Sequence, residues 1–416
     1  MSITSTRLLR LVAATAILPA LVTGCSSTTE STGTEVVTGT LSAEALDACT
    51  TVLGRTLPDS QDRLVIVSDR TVSVTPEGLP PELTEAIVRT SENDGSVSVV
   101  AVDGADSPPE LLAENAALST EGPRDRPSVG ALAAQMPRCV EEVLLARTSP
   151  TSAGTDLHRA LALASELSDE TTDVWLLSDF VSTAGPFTLD EGTVAQDAAA
   201  AAERIAAVAP LDLHGADLHV AGAGNTSEPI LTANREWLRD LARSLCSSWN
   251  AKGCEAIETD PAVAAPVVEG LPADPIPAFP ALTRTASDSG CVFEAPASIT
   301  FAGSSARLRE DAASAFDAAV ALMLSQPTTS AIVVGHTAST SGSTHQENLR
   351  LSTDRARAVM SILLDAGVDP ARLTAVGVGD TQPRVEDLDS AGAQIESAAA
   401  TERRVDIVVS GTGCSA

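Results

Sequence analysis

The chain contains no tyrosine, three tryptophans and six phenylalanines in 416 residues, so any core must be built from Ala, Val, Leu and Ile. Lysine is nearly absent as well, with Lys252 the single example and every other cation an arginine. Acidic residues number 56 against 26 basic ones, a formal charge of −30. That balance excludes nucleic acid as a partner and excludes docking to anionic lipid by charge alone. It favours solubility and cationic partners. The familiar catalytic signatures are missing too: there is no His-Glu-x-x-His, no serine in a nucleophile elbow, no Cys-x-x-Cys and no mixed Cys/His spacing suited to zinc. The five histidines, at 158, 214, 219, 336 and 345, are scattered, and His158 reads as a surface or packing residue. Abundant Asp/Glu pairs carry little information in so acidic a chain. A hydrophobic fraction of 44% is nevertheless that of a globular protein, and the length allows two or three domains.

Arg7 and Arg10 precede an apolar run from Leu11 to Val22, a pattern that reads as a secretory signal too short to span a membrane comfortably. Residues 26–43, rich in Ser, Thr and Gly at their start, read as a flexible tether. Six cysteines follow, Cys49, Cys139, Cys246, Cys254, Cys291 and Cys414, an even number that points to disulfides in an exported protein. Several pairings are open, and domain boundaries favour 49–139, 246–254 and 291–414.

Over residues 44–258 short apolar runs alternate with helical periodicity. Leu64–Val67, Val97–Val102, Val174–Leu177 and Leu218–Ala221 read as strands. Pro81–Thr90, Pro137–Arg147, Asp156–Leu167, Gln196–Val208 and Arg235–Trp249 read as helices. The alternation predicts a doubly wound α/β sheet with its sites beyond the carboxyl ends of the strands. Polar residues collect there: Asp69, Thr71 and Ser73 after the first strand, Thr155 before a helix, and Asp179 after the Trp175 strand. Two carboxylates and three hydroxyls suit a hard cation such as Mg²⁺ or Mn²⁺. Six prolines lie between Pro261 and Pro280, and residues 259–290 are expected to form an extended linker with some of its apolar residues packed on a domain. From residue 291 onward, Ala297–Phe301, Ala331–Gly335, Leu373–Val378 and Val405–Val409 read as strands and Leu308–Leu324 as a helix. A further helix is expected to begin at Ser352, with Asp354 in its first turn, and to end at Gly367. Asp380–Thr401 reads as a long loop with room for an Ala-rich turn. The result is an α+β sandwich with helices on one sheet face. Arg355, near the predicted helix start, is placed to bind an anion, and a surface arginine paired with a neighbouring carboxylate is the plainer alternative.

Three resemblances sharpen these readings. Val22-Thr23-Gly24-Cys25 resembles the lipobox of bacterial lipoproteins, which implies cleavage before Cys25 and diacylglycerol on its thiol. Asp69-x-Thr71-x-Ser73, Gly154-Thr155-Asp156-Leu157 and Ser178-Asp179, in that order, resemble the von Willebrand factor A domain and its metal-ion-dependent adhesion site. The resemblance implies Asp69, Thr71, Ser73, Thr155 and Asp179 as metal ligands and a partner carboxylate completing the shell. Thr71 replaces the usual first Ser, Arg70 stands between ligands, and Phe180 stands where that family has Gly. Gly335-His-Thr337, Asn348-x-x-Leu351-Ser352-x-x-Arg355-Ala356, Gly377-Val-Gly379-Asp380-x-x-Pro383 and Arg403-Arg404-Val405 resemble the OmpA-like domain over residues 291–416. This implies non-covalent peptidoglycan binding through the diaminopimelate of the stem peptide, with Arg355, Asn348, Thr337 and His336 at the site. The family's Asp after Gly-His-Thr is Ala338 here, with Glu347 or Asp380 as substitutes, and its Asn before the paired arginines is Glu402.

Together these imply a non-enzymatic envelope scaffold, lipid-anchored on the outer face of the cell membrane. It would touch peptidoglycan with one domain and an unidentified envelope protein with the other. The alternatives are a scaffold that has lost wall binding through Ala338, and a wall-modifying enzyme, against which the missing nucleophile and metal-base set weigh.

Overall fold

In the computed structural model, described for residues 41–72, 74, 78–120, 126–257, 270–287, 290–310, 312–340 and 342–411, two sheets share one compact unit from Leu41 onward. Cys25, Ser73 and Cys414 lie outside the described residues.

The first sheet contains β1 (Arg63–Ser68), β2 (Ser96–Ala101), β3 (Glu110–Ala117), β4 (Thr172–Leu177), β5 (Asp217–Ala221) and β6 (Gly253–Ile257). Their order is β3-β2-β1-β4-β5-β6, parallel throughout except for β3, which runs antiparallel to β2. Alternate residues of β1 enter opposite cores. Val65 and Val67 pack with the helices Leu157–Glu166, Ala198–Val208 and Thr232–Ser248, while Leu64 and Ile66 face Ala43–Leu53 and Pro81–Glu92. This burial on both faces explains the unbroken apolar run of Leu64–Val67. The strand order reverses between β1 and β4, and loops at their carboxyl ends leave a crevice there.

The second sheet contains β7 (Thr283–Ser287), β8 (Gly290–Pro296), β9 (Ser330–His336), β10 (Leu373–Gly379) and β11 (Arg404–Ser410), in the order β10-β9-β11-β8-β7. Only β10 and β9 pair in parallel. The helices Asp317–Ser325 and His345–Asp365 cover one face through Phe293, Phe316, Met323, Val333, Val359, Leu363 and Ile407. On the other face Ile332 and Val376 stay exposed.

Several sequence expectations change. Ala297–Phe301 is not a strand: β8 ends at Pro296, paired with Arg404 at the start of β11, and Ala297–Thr300 turns into a short helix. Leu308–Leu324 is shorter than expected, a 3₁₀ turn at Ala312–Phe316 leading into Asp317–Ser325. Pro137–Arg147 is a broken run of α, π and 3₁₀ turns. The supposed linker ends in β7, and residues 270–282 lie against the first sheet's lobe, with Ile276 and Phe279 packed on its core. The loop Asp380–Thr401 closes with a helix at Glu396–Glu402.

Cys49 is bonded to Cys139 and Cys246 to Cys254. The first bond joins residues 90 apart, which destabilises the unfolded chain by about 4.6 kcal/mol in the loop-entropy account. Cys291 is disulfide-bonded, and its expected partner, Cys414, lies outside the described residues.

Candidate functional site

At the carboxyl ends of β1 and β4 a file of buried oxygens runs across the crevice. Asp69, 3% exposed, follows β1, and its amide donates to Leu177 O at 2.9 Å. Asp69 Oδ1 accepts from Thr71 N at 3.0 Å and Thr71 Oγ1 at 2.8 Å, and Oδ2 accepts from Ser178 Oγ at 2.7 Å. Thr155 Oγ1 lies 2.9 Å from Thr71 Oγ1 and donates to Asp274 Oδ2 at 2.5 Å. Burial pushes the Asp69 carboxyl up to about 6, against the hydrogen bonds from Ser178 and Thr71, and the neighbouring Asp274 adds to the rise. Three of the residues picked out by sequence, Asp69, Thr71 and Thr155, therefore meet within hydrogen-bond distance. Asp179 is buried beside them, its Oδ1 accepting from Val181 N at 2.8 Å. It lines a cavity of about 50 Å³ with Asp69, Ser178 and Asn225. Ser73 lies outside the described residues.

The donors here are all oxygen, which fits a hard cation, and a buried carboxylate whose charged form is disfavoured by desolvation would be relieved by one. Among the described residues no three His, Cys, Asp or Glu side chains converge as a metal site, so a cation here would depend on the threonine hydroxyls. Phe180 has φ 64°, the left-handed conformation that glycine adopts freely. The backbone at this corner thus has a glycine-like shape, and the ring is fully buried, edge-on to Phe187 at 5.4 Å. Sequence reading missed Asp274, because a proline-rich stretch signals a linker and gives no hint of where it docks.

The second site surrounds Arg355. The helix does not begin at Ser352: Thr344 caps it, in a capping box with Glu347, and it runs His345–Asp365. Arg355 therefore sits mid-helix. Ser352 is turned inward, where its hydroxyl donates to Leu349 O and accepts from Gly379 N. Gly367, at φ 97°, ends the helix as expected. Arg355 is 2% exposed; its Nε donates to Ser305 O at 2.9 Å and its guanidinium lies 5.0 Å from the Phe301 ring centroid. Burial, followed by repulsion from Arg403, lowers its pKa to about 10. Among the described residues no carboxylate pairs with it.

Arg355 borders an open cavity of about 510 Å³. Phe301, Gly303, Ser304, Glu396 and Arg403 line it from the second lobe, and Asp197, Trp237, Asp240 and Arg243 from the first. Arg403 is paired with Glu396, and Arg243 with Asp240 at 3.0 Å. The Asp197 carboxylate accepts from Ala199 N at 3.1 Å and carries no ion pair among the described residues. Arg309 ties the lobes beside the cavity, 3.0 Å from Glu236 Oε2.

The other predicted residues brace the surrounding loops and do not line this cavity. Asn348 Nδ2 donates to Asp380 Oδ2 at 3.2 Å, and His336 Nε2 lies 3.2 Å from Asp406 Oδ2. Thr337 N donates to Gly379 O at 3.0 Å. Both proposed substitutes for the missing Asp are engaged, Glu347 in the capping box and Asp380 by His345 and Asn348. Ala338 is buried, and Asp387 accepts the neighbouring Ser339 N–H at 2.6 Å. Glu402 accepts from Arg384 N, Val385 N and Arg404 Nη1, a structural role that sequence alone did not suggest.

Residues 300–396 match the OmpA family, so the second lobe is OmpA-like. The chain is 33% identical over 126 residues to the probable lipoprotein YiaD of Escherichia coli strain K12. That overlap is 30% of this chain and 54% of YiaD, so the chain spans about half the length of that relative. Among solved structures, the periplasmic domain of Helicobacter pylori MotB is 22% identical, with 31% of this chain and 82% of that chain covered and a TM-score of 0.27. The cell wall anchor of the T6SS from Pseudomonas aeruginosa is 25% identical, with 32% and 88% covered and a TM-score of 0.28. The peptidoglycan-associated lipoprotein from Burkholderia pseudomallei is 26% identical, with 26% and 86% covered and a TM-score of 0.23.

Proposed function

We propose that this chain is a lipid-anchored, non-enzymatic scaffold of the bacterial envelope that holds peptidoglycan through its OmpA-like lobe. The observation that carries the reading is Arg355: a guanidinium almost wholly removed from water, without a carboxylate partner, on the wall of an open cavity. Burying a cation unpaired is costly, and an anionic ligand offsets that cost. Asp197, across the same cavity, offers a carboxylate for an ammonium. A ligand with both groups, as on the diaminopimelate of a stem peptide, matches the pair, and Asp197 then stands in for the acid that Ala338 removes.

The lipobox at Cys25 and the likeness to a probable lipoprotein support anchoring by acyl chains on the outer face of the cell membrane. Among the described residues no helix is long and apolar enough to cross a membrane. The first lobe, in this reading, is a doubly wound von Willebrand A-like domain of about residues 44–258 that engages another envelope protein. Asp69, Thr71, Ser73, Thr155 and Asp179 are its proposed Mg²⁺ or Mn²⁺ residues. A scaffold without wall contact is the second reading, favoured by Ala338 and by the engagement of Glu347 and Asp380 elsewhere.

Calorimetry of the full chain with a diaminopimelate muropeptide tests the proposal. Binding is expected to fall by roughly tenfold or more in both Arg355→Ala and Asp197→Asn, since each leaves a ligand charge unpaired. Asparagine caps a helix as well as aspartate, so the Asp197 variant removes the charge and keeps the cap. No binding by the wild type would favour the scaffold without wall contact.

A further inference from the structure

The segment between the lobes carries one acidic side chain that its surroundings do not explain as surface. Asp274 lies among Pro272, Pro275 and Pro277, yet it is only 7% exposed. Its Oδ2 accepts from Thr155 Oγ1 at 2.5 Å, and its Oδ1 accepts from the Thr183 hydroxyl. The backbone on either side is tied down as well: Gly154 N donates to Ala273 O at 3.0 Å, and Asn234 Nδ2 donates to Pro280 O at 3.0 Å. Ile276 and Phe279 pack on the core of the first lobe. The carboxylate is thus delivered by a fixed strap rather than by a passing loop.

Its position completes a file of oxygens, Asp69 Oδ1, Thr71 Oγ1, Thr155 Oγ1 and Asp274 Oδ2, each within 2.9 Å of the next. In an octahedral shell with ligands at about 2.1 Å, adjacent oxygens are about 3 Å apart. A cation that takes Thr155 Oγ1 as a ligand therefore meets Asp274 Oδ2 at once. Either the carboxylate joins the shell or the strap must leave. The strap is held at four points, and two carboxylates buried around a pair of hydroxyls gain from a divalent charge between them.

We propose that Asp274 is a ligand of this site, so that the carboxylate a partner would contribute is supplied by the chain itself. This rests on the reading of the first lobe as a divalent-cation site. A cation bound there locks residues 270–282 across the strand ends and fixes the connection between the lobes. A partner that uses an acidic side chain must first displace Asp274, so the first lobe is self-occupied until the strap is released.

Calorimetry of the full chain with Mn²⁺ and with Mg²⁺, on wild type, Asp69→Ala and Asp274→Asn, tests this, together with hydrogen exchange of residues 150–158 and 271–282. Asparagine keeps an oxygen that accepts from Thr155, so the strap is expected to stay docked without cation and the melting curve to stay cooperative. The expected result is cation binding by the wild type, weakened roughly tenfold or more in Asp274→Asn, with a cation-induced slowing of exchange in both segments that the variant loses. Wild-type affinity and slowing retained in Asp274→Asn would overturn the assignment of Asp274 while leaving the cation site standing. No cation binding by the wild type would overturn both.

Discussion

Phe180 shows how a single residue balances backbone strain against packing. A bulky side chain at φ 64° costs about 1–2 kcal/mol relative to glycine. The same ring is fully buried against Phe187, and deleting a core phenylalanine costs about 3–5 kcal/mol. Burial wins, so Phe180→Gly is expected to destabilise by about 2 kcal/mol. Chemical denaturation checks this, and a gain in stability would mean that strain outweighs packing. Asp406 is decided the same way. Burial raises its pKa, but His336, Arg404 and Arg384 beside it outweigh that, and the net shift is downward. A folded-state pKa below the unfolded one means stability that is present above the unfolded value and lost as pH falls through the folded one. Asp406→Asn is therefore expected to destabilise by about 2–3 kcal/mol at pH 7 and by clearly less near pH 3. Equal losses at both pH values would contradict the charge argument.

At the scale of elements, the helix His345–Asp365 packs Ala356, Val359, Ile362 and Leu363 into the second lobe's core and positions Arg355. Its start was legible in the sequence, because Thr344-x-x-Glu347 is a capping-box pattern, but Ser352 followed by Asp354 mimics a later start. Burial of Ser352 against Gly379 decides between them. Thr344→Ala is expected to cost about 1 kcal/mol with little effect on the Arg355 cavity, measured by thermal melting beside ligand binding. Other strands were hidden for physical reasons. β7 is an exposed edge strand, Thr-Arg-Thr-Ala-Ser, without alternating apolar residues, and β3 is a half-exposed antiparallel edge. Buried β1 and β4 were read to within two residues at each end, because burial on a sheet writes itself into hydrophobic runs.

On the scale of the whole molecule, chemistry sits where segments distant in sequence meet, and this is what a linear reading sees least. Asp69, Thr71 and Thr155 could be grouped from motif order, and Arg355 from its helix. Neither Asp274 over Thr155 nor Asp197 across from Arg355 leaves any local trace, since both depend on how the lobes and their connecting strap pack. The cysteines were more legible: 49–139 and 246–254 were the favoured pairings among several open ones, and both bonds form. Of the arginines lining the cavity, Arg355 alone is both buried and without a pairing carboxylate among the described residues.

The most direct measurement of the central claim is co-sedimentation of the full chain with purified, diaminopimelate-containing peptidoglycan, with Arg355→Ala alongside. The wild type is expected to pellet with the wall, and the variant, equally folded by circular dichroism, to stay in solution. Equal pelleting of the two, or no pelleting of either, would contradict it.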